Sequence, residues 1–273
     1  MVLFNKTTPC KPFGHVGAPT SVASRQIRSG FVGRVFLTLA ACSASAPPAP
    51  PNGAVTTTLP SGGVYKGTLD AVDATLLMLL DGTAYLFYTN ASGGSVAGVA
   101  VATNGSQTSD GRFTSTSALD YRAGAAPPSA VTFTANFAHA PAVDGALAGK
   151  DGGGSRRFSA TAAPMLDTAP TLVNAGGLYT GRGMSLGGAT TTRITVAADG
   201  YAAGTTTSGC IFKGMVSPRP AVNAYDVSVT FGPAPCPLPD ASVKGSAVLD
   251  GPRLLVALPS PDRANVFLFD GRK

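Results

Sequence analysis

Gly183-Met184-Ser185-Leu186-Gly187 has the Gly-x-Ser-x-Gly spacing of a hydrolase nucleophile. That chemistry needs the serine on a sharp turn between a strand and a helix, with an acid and then a histidine later in the chain. No His follows Ser185, and the one His beyond residue 42 is His139, between Ala138 and Ala140. A serine without a base is a weak nucleophile, so Ser185 reads as a loop residue and His139 as a loop or barrel-rim residue. Gly145-Ala146-Leu147-Ala148-Gly149-Lys150 is one residue short of a phosphate-cradling loop and runs into Asp151 where Ser or Thr is needed, so it reads as a turn. All 14 acids are Asp, and seven of them (Asp81, Asp110, Asp144, Asp151, Asp199, Asp250 and Asp270) precede a Gly. Asp-Gly is a hairpin signal because both residues tolerate positive φ, which leaves few carboxylates for paired acid–base work. No stretch alternates acidic ligands as a calcium loop does, and Cys-x-x-Cys is absent, so no metal or cofactor is expected. Arg156-Arg157 reads as a solvated pair at a strand start.

The four cysteines divide by position. Cys10 falls in an N-terminal leader and Cys42 directly behind it, and Cys210 and Cys236 remain as one even pair, expected to form a disulfide in an oxidising compartment. Five of the 20 bases and none of the acids precede residue 42, so the rest of the chain carries 15 bases against 14 acids. Removal of the leader would remove the basic excess, and nucleic acid is excluded as a partner of a charged surface.

The leader places Arg25, Arg28 and Arg34 before the apolar residues Val35-Phe36-Leu37-Thr38-Leu39-Ala40-Ala41, the order of a secretion signal. The apolar run is shorter than the roughly 20 residues of a transmembrane helix. Residues 1 to about 23 precede this signal, as if the true start lay downstream. Leu39-Ala40-Ala41-Cys42 resembles the lipobox of bacterial lipoproteins, which implies diacylation of Cys42 as the new N-terminus and a membrane anchor. Ser43 after that cysteine implies sorting to the outer membrane or cell surface, lipid-anchored, with the periplasm as the location otherwise. The Ser/Ala/Pro run behind it is a tether of about 3.1 Å per residue in polyproline form.

Beyond the tether the composition is rich in Thr, Val, Gly and Ala and has no Glu, which favours strands and turns over helices. Gly62-Gly63-Val64-Tyr65-Lys66-Gly67 recurs as Gly176-Gly177-Leu178-Tyr179-Thr180-Gly181. Residues 131–137 and 225–231 both alternate apolar and polar side chains, the period of a half-buried strand. Val143-Asp144-Gly145 and Val243-Lys244-Gly245 follow in the same order, which points to an internal duplication. Residues 75–80 and 83–88 flank Asp81-Gly82 as strand, turn, strand; residues 192–196 lead into Asp199-Gly200, and 253–258 and 265–269 supply two late strands. The aromatics on these strands, Tyr65, Phe87, Tyr88, Phe133, Tyr179 and Phe267 among them, are expected in the core.

The fold class is therefore all-β: two related antiparallel lobes, small up-and-down barrels or sandwiches, after a lipoprotein signal and Pro-rich tether. The expected organisation is leader and signal 1–41, lipidated Cys42 with tether 42–61, N-terminal lobe 62–162, linker 163–175 and disulfide-bearing C-terminal lobe 176–273. With Gly177-Leu178-Tyr179-Thr180-Gly181, Gly209-Cys210 and Tyr225-Asp226-Val227 as its best points, the pattern resembles uncharacterised proteobacterial lipoproteins built from tandem small β domains. More distantly it is similar in architecture to lipid-anchored surface receptors of pathogens that pair two β lobes. The expected function is that of a non-enzymatic envelope protein binding a protein, a glycan or a small apolar ligand, or serving in assembly. The alternatives are an envelope hydrolase using Ser185 and a secreted enzyme inhibitor presenting residues 216–223 as a rigid loop.

Overall fold

A computed structural model describes residues 62–163 and 169–273. The leader, Cys42 and the tether lie outside the described residues. The first lobe contains β1 (Gly63–Leu69), β2 (Val72–Met78), β3 (Ala84–Thr89), β4 (Val96–Thr103), β5 (Ser106–Gln107), β6 (Arg112–Arg122), β7 (Ala125–Asn136), β8 (Ala142–Gly149) and β9 (Ser155–Ala162). A one-turn helix, α1 (Leu172–Ala175), precedes β10 (Gly177–Ser185), β11 (Gly188–Val196), β12 (Tyr201–Thr206) and β13 (Ile211–Arg219). The chain ends with β14 (Ala224–Phe231), β15 (Ser242–Asp250), β16 (Arg253–Pro259) and β17 (Val266–Arg272).

Both lobes are closed antiparallel barrels, which settles the choice between barrel and sandwich. In the first, β1 pairs with β9 and β4 with β6, closing a ring in which β5 continues the β4 edge along the start of β6. In the second, β10 pairs with β17, Thr180 opposite Arg272 and Met184 opposite Leu268. Closure removes the free edges that would otherwise template pairing with another chain. The repeated Gly-Gly motif opens each barrel, at β1 and β10. The later matches are one strand out of step: β7 and β8 are sixth and seventh in their ring, β14 and β15 fifth and sixth in theirs. Alternation belongs to any strand with one wet face, so these similarities do not mark equivalent positions.

Five of the Asp-Gly pairs turn as expected, with Gly82, Gly111, Gly152, Gly200 and Gly251 all at positive φ. The other two do not turn. Asp144-Gly145 lies inside β8 and Asp270-Gly271 inside β17. These glycines make room for rings: a Cβ on Gly271 would stand 2.2 Å from Cζ of Phe269, and one on Gly145 2.2 Å from Cζ of Phe158. Alternating large and small residues is how a narrow barrel fills its interior.

Three apolar cores result. One fills the first barrel around Leu76, Leu86, Phe113, Phe133 and Phe158. Another fills the second around Tyr179, Phe212, Tyr225, Phe231 and Phe267. The third lies between them, where Leu77, Tyr85, Phe87 and Val99 from the outside of the first barrel meet Met184, Val248, Leu255 and Leu268 from the outside of the second. Strands at this seam are buried on both faces, which is why β3, β16 and the first half of β17 are apolar almost without interruption.

α1 belongs with the second barrel. Thr171 caps it, its Oγ1 accepting the Asn174 N–H at 3.1 Å. The Tyr179 hydroxyl donates to the Ala175 carbonyl at 2.8 Å and that of Tyr225 to the Thr171 carbonyl at 3.1 Å, fixing the helix over the barrel mouth.

Candidate functional site

Beside the apolar seam the barrels diverge into an open cleft of about 480 Å³. One wall comes from the β2–β3 hairpin, with Asp81, Thr83 and Tyr85; the other comes from β13, β14 and β15, with Ser217, Arg219, Asp226 and Ser246. Arg219 joins the walls. Its Nε and Nη2 donate to Asp226 Oδ1 at 2.9 and 2.6 Å, and its Nη1 donates to Asp81 Oδ2 at 3.0 Å. The first contact is local to the β13–β14 hairpin, whose register sets Arg219 opposite Ala224; the second exists only because the barrels dock.

Burial pushes the Asp81 carboxyl upward, but hydrogen bonds from Thr83 and the Arg219 guanidinium outweigh it and hold the group below its ordinary range. For Arg219 burial acts to lower the pKa, and hydrogen bonding to Asp226 and Asp81 overcomes it, so the value is raised. Burial raises the Tyr85 phenol, against a hydrogen bond with Ser246. The cleft thus holds a paired set of charges, Asp81, Arg219 and Asp226, framed by hydroxyls, with Lys244 at its edge.

A second recess of about 220 Å³ lies by the mouth of the first barrel. Its floor is the buried Asp120, which accepts the Tyr88 hydroxyl at 2.6 Å and Arg122 Nε at 2.9 Å. Arg156 lies over the Tyr88 ring, 4.5 Å from its centroid, and its Nε donates to Asp70 at 3.1 Å. Arg156 is therefore no solvated residue: an inward-facing guanidinium closes the barrel mouth by stacking and pairing. Burial and the neighbouring Asp120 charge push the Tyr88 phenol far up.

The motifs with catalytic spacing come apart. Ser185 ends β10, and its Oγ accepts the Gly187 N–H at 3.2 Å in the hairpin to β11, with no helix following. His139 is exposed in the β7–β8 turn of the other barrel. Residues 145–149 are part of β8, so they form no phosphate loop. Residues 216–219 lie within β13, and Val222 is buried in the seam between barrels, so 216–223 is not a projecting inhibitory loop. Among the described residues no group of His, Cys and Asp could hold a metal, and no helix is long and apolar enough to cross a membrane. Cys210 and Cys236 form a disulfide that ties the start of β13 to the β14–β15 loop. Cys42 lies outside the described residues.

Arg219 was not singled out by sequence, because its partner Asp81 is 138 residues away. Its only local signal was Asp226, seven residues on.

No family model and no curated protein matches the chain. Among solved structures it is similar to a mutant of the vaccine antigen Transferrin Binding Protein B from Haemophilus parasuis Hp5, at 7% identity over 74% of this chain and with a TM-score of 0.25. The match covers 66% of that structure, so the chain spans just under two thirds of its length. A likeness at this level assigns neither partner nor site.

Proposed function

We propose that this protein is a non-enzymatic, lipid-anchored component of the bacterial envelope whose two fused barrels form a rigid platform for binding another macromolecule. Lipid at Cys42 and display at the outer membrane or cell surface complete the reading. The observation that carries it is where space is found. The second barrel retains a cavity of only about 30 Å³, lined by apolar groups, against the several hundred Å³ that a small-molecule pocket requires. Recognition of a small apolar ligand inside that barrel has no room. The larger concave surfaces lie outside, in the cleft and on the wall beside it.

The anchor is tested by labelled palmitate incorporation in a proteobacterial host, comparing the native chain with Cys42→Ala. Label that depends on Cys42 supports the anchor; absence of label with the leader cleaved removes it and leaves a secreted or periplasmic protein. For the non-enzymatic reading, any ester or amide hydrolysis abolished by Ser185→Ala would count against it.

A further inference from the structure

The cleft continues onto the outer wall of the second barrel as a groove of about 320 Å³ crossing β12 to β15. Register places Tyr201 beside Met215, Met215 beside Ser228 and Ser228 beside Lys244. One step along, Lys213 stands beside Thr230 and Thr230 beside Ser242. Of the six exposed large apolar side chains among the described residues, three stand on this wall: Ile211 at 68%, Met215 at 46% and Tyr201 at 45%. Exposed thioether and aromatic groups rimmed by charge are the composition of a protein-binding surface.

Its charge is one-sided. Lys213 and Lys244 have no ion pair among the described residues. The two acids facing outward from β12–β15, Asp226 and Asp250, are held by Arg219 and Lys66. Asp199 and Asp240 lie in turns at the two ends of the wall. We propose that this groove docks an extended acidic segment of a partner protein, its carboxylates meeting Lys213 and Lys244 while an apolar side chain between them covers Met215. This inference rests on the binding role above and names the partner's chemistry.

Three features select that occupant. Strands β12–β15 are paired on both sides, so an incoming chain cannot add to the sheet and is read by side chains alone. Two strand spacings and two residues separate Lys213 from Lys244, about 12 Å, which an extended chain spans in four residues. Residues 1–61 contain no acid, so the chain's own N-terminal segment cannot supply the carboxylates, and two-fold pairing with a second copy would oppose like charges.

The test uses the full chain and a labelled synthetic peptide of the repeat Asp-Ser-Leu-Ser, which when extended presents Asp and Leu alternately on one face. Fluorescence anisotropy should show salt-sensitive binding, weakened about tenfold in the Lys213→Glu, Lys244→Glu double variant. A Lys-Ser-Leu-Ser peptide should prefer the double variant. Met215→Ala should weaken the acidic peptide with its salt dependence unchanged. Both lysines are exposed, and an unchanged melting curve verifies the fold. Absence of binding, equal binding by native and double variant, or tighter binding of dextran sulfate than of the peptide would overturn the proposal. Capture of an envelope partner equally by native and double variant would overturn the groove while leaving the binding role standing; capture by neither would remove both.

Discussion

Asp270 receives the Arg253 guanidinium at both carboxylate oxygens, with Nε at 2.7 Å and Nη2 at 2.8 Å, while its Oδ2 also accepts the Val96 N–H of the other barrel at 2.7 Å. A bidentate pair of the second barrel therefore sits at the seam and reaches the first barrel through Val96, its acid only 6% exposed. Arg253 Nη2 reaches the Gly94 carbonyl as well, at 3.3 Å. Asp270→Ala leaves a guanidinium and a backbone N–H without their acceptor, and should cost about 3 kcal/mol in urea denaturation. Asp270→Asn, which keeps the shape and one acceptor, should cost less.

Asp81, held ionised by hydrogen bonds from Thr83 and then by the Arg219 guanidinium, makes stability depend on acid. Asp81 has a lower pKa folded than its ordinary 3.8, so its ionised form stabilises the protein above that value, and the contribution is lost as pH falls through the folded value. Urea midpoints measured against pH should fall on the acid side for the native protein. Asp81→Asn should start lower at neutral pH and converge with the native curve in acid; parallel curves would show that the Asp81 carboxyl does not carry the dependence.

Alkali should act through phenols. Tyr179 is pushed up to about 12 by burial and the nearby Tyr225, so its stabilising contribution is intact below the ordinary value of 10 and disappears as pH rises through about 12. Absorbance at 295 nm should show part of the tyrosine signal delayed until the barrel opens. Tyr179→Phe should lose the hydrogen bond to Ala175, about 1 kcal/mol, and remove that share of the delayed signal.

The disulfide closes a loop with a sequence separation of 26 between two buried cysteines. On the loop-entropy argument it contributes about 3 to 4 kcal/mol. Cys210→Ser with Cys236→Ser should lower the urea midpoint accordingly, and mass spectrometry should find the native sulfurs resistant to mild reductant until the fold opens.

The three atoms nearest to a methyl group on Gly271 all belong to the Phe269 ring. Gly271→Ala should therefore cost about 1 to 3 kcal/mol by overpacking. Phe269→Leu on the same background should recover part of that loss, and a double-mutant cycle by thermal melting measures the coupling.

Much of the architecture was legible because barrels are built from local order. The alternation at Val131, Phe133 and Ala135, and the turns at Asp81-Gly82 and Asp199-Gly200, need no knowledge of distant residues. Asp144 and Asp270 were misread because the same dipeptide serves a second purpose, a glycine cleared for a phenyl ring, that depends on what the barrel wraps around. The cleft stayed hidden for a related reason. Arg219 meets Asp81 at 3.0 Å across 138 residues, and no periodicity encodes such a pairing. The seam did leave a trace: uninterrupted apolar runs in β3 and β16 mean strands covered on both faces, a signal of fusion between lobes rather than of deeper burial within one.

That seam also limits how the two halves can exist apart. A solitary barrel would present Tyr85, Phe87 and Val99, or Leu255 and Leu268, to water, together with severed partners for Val96 and Asp270. Separately synthesised halves should thus find each other as complementary fragments, and a one-barrel forerunner of this chain would have had to live as a pair.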